Sequence, residues 1–223
     1  MQMLNLKKLN NKRIKKSQIL LFGSLLIFIG LIVITHNHLL KLKNEVYSDM
    51  QIAMYDDIND ETFFNETVIN EPMNVTDEYV EQEVNYTNTI NYEQYLGILR
   101  IPKIGLRRGF FGLDSRYNDI NYNVTLVEGS TMPDVVNGNL ILIAHSGTAY
   151  ISFFAYLYRL DIGDDVYVTY NHEEYHYRIV NIYYVDKIGK VEIIRNNEKT
   201  SLTMITCTKD DDFHQTVYIS ELV

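Results

Sequence analysis

Ser201-Leu202-Thr203-Met204-Ile205-Thr206-Cys207-Thr208 carries the single cysteine of the chain to the end of an apolar, β-prone run. Aliphatic and β-branched residues in a run of this length suit a strand, and Lys209 to Asp212 give it an abrupt polar exit. Period-two alternation puts Thr203, Ile205 and Cys207 on one face and Leu202, Met204 and Thr206 on the other. The thiol is therefore expected at a sheet rim. An unpaired cysteine is more often a small buried hydrophobe than a nucleophile, so the rest of the sequence must decide its role.

A second run ends in the same way. Asn139-Leu140-Ile141-Leu142-Ile143-Ala144 is apolar on both faces, as a central strand would be, and stops at His145-Ser146-Gly147-Thr148. Taken alone, His145 reads as a structural histidine at a strand end. If the two runs are neighbours pointing the same way, His145 and Cys207 meet at one rim, the arrangement that a nucleophile and its proton partner require. An adjacent imidazole favours thiolate, and the imidazolium can then protonate a departing amine. His214 is a competing base, but it lies in the acidic turn Asp210-Asp211-Asp212-Phe213, where a solvated histidine is expected. His172 and His176 lack the cysteine or the paired histidine of a zinc site, and the three aspartates read as a solvated turn, so no metal is expected.

Around these runs the chain from Tyr95 onward consists of short apolar stretches separated by Gly, Asn and Asp. They are Leu96 to Ile101, Val124 to Val127, Val166 to Tyr170, Tyr175 to Val185 and Thr216 to Leu222. Such spacing predicts a closed or sandwiched all-β domain. The one helical candidate is Ile151 to Leu160, where Phe154, Leu157, Tyr158 and Ile151 can share a face. With 223 residues, 46% of them hydrophobic, the chain can hold one domain with a real core plus appendages.

From Ile19 to Ile34 every residue is apolar, small or Gly except Ser24, which predicts a membrane-spanning helix near the short end of the usual range. A signal peptide shares the charged start and apolar centre, but no small-x-small cleavage site follows Val33-Ile34, which favours an uncleaved anchor. Six basic residues from Lys7 to Lys16 outnumber Lys41 and Lys43 after the span, which places the amino end in the cytoplasm and the rest outside. The net charge of -9 is concentrated beyond those basic residues, so nucleic acid is not an expected partner. Residues 41 to about 90 are rich in Asp, Glu and Asn and read as a solvated, flexible spacer, with a peripheral helix from Asn74 to Val84 as the alternative. The Asn-x-Thr triplets at Asn65, Asn74, Asn85 and Asn123 read as chance matches to a glycosylation pattern. One cysteine excludes an internal disulfide.

Leu202-Thr203-Met204-Ile205-Thr206-Cys207 resembles the Thr-Leu-x-Thr-Cys signature of the sortases, the membrane-anchored cysteine transpeptidases of Gram-positive bacteria. Gly138-Asn139-Leu140 leading to Ala144-His145, and Leu99-Arg100-Ile101-Pro102-Lys103-Ile104 as an opening strand, are similar to that family as well. The resemblance spans about residues 93 to 223 and includes the order of anchor, spacer and β domain. It implies an all-β fold, a closed eight-stranded sortase-like β-barrel with short helical connections. The expected organisation is a cytoplasmic tail (1–17), a transmembrane anchor (18–35), an acidic spacer (36–90) and the barrel (91–223).

The resemblance further implies that Cys207 attacks a threonyl carbonyl in a C-terminal sorting motif of the Leu-Pro-x-Thr-Gly kind, with His145 as general acid and base. Thr206 would help shape the substrate groove, with Ser146 as a further substrate-binding candidate; no cofactor is implied. The implied partners are secreted proteins carrying the motif, an amine acceptor from peptidoglycan or a pilin lysine, and membrane lipid around the N-terminal helix. One position departs from the family pattern: the slot at the start of the last strand that holds Arg in sortases is Gln215 here. An amide still donates a hydrogen bond to an oxyanion but brings no charge. Arg178, Arg195 and Lys209 are candidates for supplying that charge. A purely hydrolytic cysteine peptidase and a catalytically silent, membrane-tethered binding module remain as alternative functions.

Overall fold

The computed structural model describes residues 16–57 and 94–223. One long helix, α1 (Lys16–Asp57), precedes eight strands: β1 (Gly97–Ile101), β2 (Leu106–Phe110), β3 (Thr125–Leu126), β4 (Asn139–Ile143), β5 (Asp165–Tyr170), β6 (Glu173–Asp186), β7 (Ser201–Cys207) and β8 (His214–Leu222). They form one sheet in the order β2-β1-β5-β6-β8-β7-β4-β3. The sheet curls until its two ends meet at a single bridge between Phe110 and Val124, giving the nearly closed eight-stranded barrel that the resemblance implies. Every ladder is antiparallel except β4 with β7, which run side by side in the same direction.

Alternation along β4 and β7 sorts their side chains onto two faces. Leu140, Leu142, Leu202 and Met204 point into the barrel, where they meet Phe110, Val166, Tyr177 and Tyr218 in the main core. Ile141, Ile143 and Ile205 point outward and are covered by Val191 and Ile193 from the segment after β6. Burial on both sides explains why both runs are continuously apolar. The polar Thr203 in the middle of β7 is satisfied by a 2.9 Å hydrogen bond to Asn139 Oδ1.

β2 is the strand that the sequence does not announce, because Arg107 and Arg108 interrupt its apolar pattern. Both arginines are used to fasten α1 over this edge of the sheet. Arg107 pairs with Asp56 at 3.0 Å, and the guanidinium of Arg108 donates to the Asn44 carbonyl at 2.9 Å while lying over the Phe153 ring. Covering an edge strand with a helix removes an exposed row of backbone donors and acceptors.

Two expectations are corrected. The helix expected over Ile151 to Leu160 is a series of turns with one 3-10 turn at Leu157–Arg159. Phe153, Phe154, Leu157 and Leu160 are buried at helix-like spacing, but a hydrogen bond from Phe154 N–H to His145 O ties the segment to the end of β4 instead, and Tyr158 faces outward. The expected flexible spacer is helical over its first part. α1 passes through 36–57 without a break, because Ile52 and Tyr55 bury themselves with Tyr95, Ile98 and Phe111 on the barrel, leaving the acidic residues on the other faces. The rest of that spacer, the Asn74 to Val84 alternative, Asn65, Asn74, Asn85 and the basic tail lie outside the described residues. α1 is long and apolar enough to cross a membrane, and its Ile19 to Ile34 stretch makes no contact that buries it. Asn123 is buried and its side chain accepts from Val124 N–H, which leaves no room for a glycan.

Candidate functional site

β4 and β7 pair with Ile143 opposite Ile205, so carrying the register two residues further sets His145 opposite Cys207. The extension is held by hydrogen bonds rather than left to fray. Ala144 N–H donates to Ile205 O at 3.4 Å, Thr206 Oγ1 donates to Ala144 O at 2.8 Å, and Ser146 Oγ donates to Cys207 O at 2.8 Å. Neighbouring strands stand about 4.8 Å apart, so these bonds bring the backbones of His145 and Cys207 to one rim of the barrel. On the other flank of β7, Cys207 is the ladder partner of Gln215 on β8. His145, Cys207 and Gln215 thus form a row across three adjacent strands, each half-buried. Among the described residues nothing hydrogen-bonds to the His145 ring, which leaves its nitrogens open to sulfur or substrate.

Cys207 also borders an open groove of about 990 Å³ at this end of the barrel. Ser146, Phe153, Tyr156 and Lys209 line it from the barrel, and Lys41, Glu45 and Asp49 of α1 form its opposite wall. His145 is not part of that lining. Thr206 is buried toward the barrel, so its hydroxyl acts on strand register and bears on the groove only by fixing where Cys207 emerges. Ser146 lines the groove, with its hydroxyl engaged on the Cys207 carbonyl.

Of the three cations considered as substitutes for a missing guanidinium, two are at the wrong end. Arg178 pairs with Asp165 and lies opposite Glu221, which in turn pairs with Ser201 at the start of β7. Arg195 donates to the Asn137 and Lys199 carbonyls, also beside the start of β7. Six residues of strand put both about 20 Å from Cys207. Lys209 lines the groove with Cys207, its ammonium 4.3 Å from the centre of the Tyr158 ring and 3.6 Å from Asp210.

His214 is held by two carboxylates, Asp211 at 2.7 Å and Asp186 at 3.3 Å, and so is engaged in fastening the β7–β8 turn to the end of β6. The Phe213 N–H and the His214 ring hold the Asp211 carboxyl below its ordinary pKa. His176 stacks on Tyr167 and pairs with Asp165 on the far side of the sheet. Among the described residues no three His, Cys, Asp or Glu side chains come together as a metal site.

The contribution of α1 to the groove is not evident from composition, because an acidic stretch has the signature of a spacer. Its signal was available: no Gly or Pro occurs between Gly30 and Pro72, so nothing breaks the helix after the apolar run, and Lys41, Glu45 and Asp49 recur every four residues.

A family model described as a sortase domain matches residues 99–222. A sortase A of Bacillus anthracis is 25% identical over 124 residues, covering 56% of this chain and 57% of that protein, so the chain spans less than two thirds of the relative. Among solved structures, the Group B Streptococcus Pilus Island 1 sortase C2 superposes with a TM-score of 0.50 at 26% identity, over 59% of this chain and 75% of that one. Sortase A from Corynebacterium diphtheriae gives 0.52 at 21% identity, over 59% and 61%, which speaks for the fold alone. With its family match over more than half its length, and its lone cysteine on the strand that runs parallel to the one leading to His145, this chain belongs to the sortase family.

Proposed function

We propose that the chain is a membrane-anchored cysteine transpeptidase that takes a C-terminal sorting motif of the Leu-Pro-x-Thr-Gly kind and passes its acyl group to an amine. The observation that carries this reading is that the strands leading to His145 and Cys207 are parallel neighbours, with Ile143 opposite Ile205. The Cys207 thiolate attacks the scissile carbonyl carbon, forming a C–S bond and a tetrahedral oxyanion. As that intermediate collapses, the C–N bond breaks and the His145 imidazolium gives its proton to the leaving amine, leaving a thioester on Cys207. An incoming amine then attacks the thioester and yields its proton to His145. The C–S bond breaks and the thiolate is restored.

Gln215, beside Cys207 on β8, is the hydrogen-bond donor for the oxyanion, and Lys209 supplies the nearby positive charge. Losing one such donor typically costs about 2.7–4 kcal/mol in the transition state. The acceptor is an amine of peptidoglycan or a pilin lysine, and the substrate a secreted protein. With the amino end of α1 in the cytoplasm, the groove faces the outside of the cell.

The test is to incubate the full chain in detergent with a sorting-motif peptide library, with and without an added amine. The expected results are an acyl adduct on Cys207 detected by mass and an amide product that appears only with the amine. If the amine never diverts the acyl group, the chain is a hydrolytic peptidase. If no adduct forms across the library, the barrel is a tethered binding module.

A further inference from the structure

α1 joins the apolar stretch and the barrel contact in a single uninterrupted rod. Within the apolar part, the only hydroxyl side chains turn back onto helix carbonyls, Ser24 onto Leu21 O and Thr35 onto Leu31 O and Ile32 O, as a lipid-exposed helix requires. Nothing between Thr35 and Asp57 kinks the rod, since that segment holds neither Gly nor Pro. Its outer end is fastened at several points. Ile52 and Tyr55 are buried on the barrel, Tyr55 packs 5.1 Å from the His172 ring, and Asp56 and the Asn44 carbonyl are held by Arg107 and Arg108.

The face bearing Lys41, Glu45 and Asp49 borders the groove that Cys207 also borders. At 1.5 Å per residue, these positions stand about 9 to 21 Å along the helix from Thr35, where the apolar stretch ends. A flexible 36–90 tether would have let the barrel range about 40 Å from its anchor.

We propose that α1 is a ruler that clamps the Cys207 groove about 9–21 Å above the bilayer surface, so that the groove selects polypeptides whose cleavage site stands at that height above the bilayer. An extended chain covers that height in about three to six residues, which is the linker length that the groove favours. The ruler rests on α1 being a membrane anchor, and the linker selection rests in addition on the transpeptidase reading.

The lone cysteine makes the height measurable without turnover. The full chain is placed in vesicles of phosphatidylcholine and phosphatidylglycerol, a fluorophore is attached to Cys207, and energy transfer to acceptor-labelled headgroups is recorded. The expected result is one narrow distance. A seven-residue helical insert between Asn37 and His38 lengthens that distance by about 10 Å, whereas a seven-residue Gly-Ser insert at the same place broadens it. A broad distribution in the unaltered chain, or no shift with the helical insert, overturns the ruler.

In a second arm, vesicle-anchored sorting-motif peptides with linkers of graded length are offered with an amine. The best linker is expected to lengthen by about three residues in the helical-insert variant, and a flat length profile overturns the selection. An inert chain that still shows the narrow, insert-sensitive distance defeats the transpeptidase reading and leaves the ruler standing.

Discussion

Ile143 and Ile205 are the last partners on the parallel ladder of β4 and β7, and the chain beyond them delivers His145 and Cys207 to the same rim of the barrel. Parallel neighbours carry their C-terminal ends to the same rim, so two chemically complementary groups separated by more than sixty residues of chain emerge together there. Cys207→Ala is expected to abolish the acyl adduct. His145→Ala is expected to lower its rate of formation by about 10²–10⁴-fold while peptide binding persists. Single-turnover mass detection of the adduct checks both, and a His145→Ala variant that acylates at the unaltered rate removes the histidine from the mechanism.

Gln215 adjoins Cys207 from the other side and is neutral, while Lys209 is the groove-lining cation beyond the end of β7. Gln215→Arg is therefore expected to raise kcat, and Gln215→Ala to lower it by about 10²–10³-fold. Lys209→Gln is expected to cost more in the unaltered chain than in Gln215→Arg, where the new guanidinium takes over the charge. A double-mutant cycle on kcat measures that coupling, and strict additivity would mean that the two side chains do not serve the same oxyanion.

Leu202 is fully buried where β7 meets the barrel core. Leu202→Ala is expected to destabilise the domain by about 2–5 kcal/mol through lost transfer energy plus the cavity left behind. Urea unfolding should show a lower midpoint at unchanged slope, and a change below about 1 kcal/mol would mean that this wall of the barrel relaxes around the gap.

Asp211 is held below the ordinary carboxylate pKa, first by the Phe213 N–H and then by His214. Because the folded pKa is depressed, its contribution to stability is complete above the unfolded carboxylate value and is lost as the pH falls through the folded one. Asp211→Asn is therefore expected to lower thermal stability near neutral pH, with the difference from the unaltered chain shrinking steadily in acid. Melting curves across the acid range check this, and a difference that grows as the pH falls contradicts the assignment.

Much of the barrel was legible because its signals are local. The runs around Leu99, Val168, Tyr183, Met204 and Tyr218 alternate or stay apolar over strand lengths, and each became a strand. β2 was illegible for a physical reason: Arg107 and Arg108 break the apolar pattern, and what justifies them is a carboxylate and a carbonyl on α1, remote in sequence. The segment from Ile151 to Leu160 misled because tight turns and a helix both bury residues three apart. Only the bond from Phe154 N–H to His145 O decides between them.

By itself, the sequence determined that the thiol and the imidazole each end an apolar strand and that an apolar helix precedes a β domain, because strand alternation and helix composition are written residue by residue. Which strands are neighbours is a contact between distant parts of the chain, and no local period encodes it. The tertiary structure decided that β4 and β7 lie side by side, that Gln215 completes the row, and that α1 runs past the apolar stretch to wall the groove. Those choices depend on Leu140, Leu142, Leu202 and Met204 sharing one core, and on Ile52 and Tyr55 finding an apolar face on the barrel.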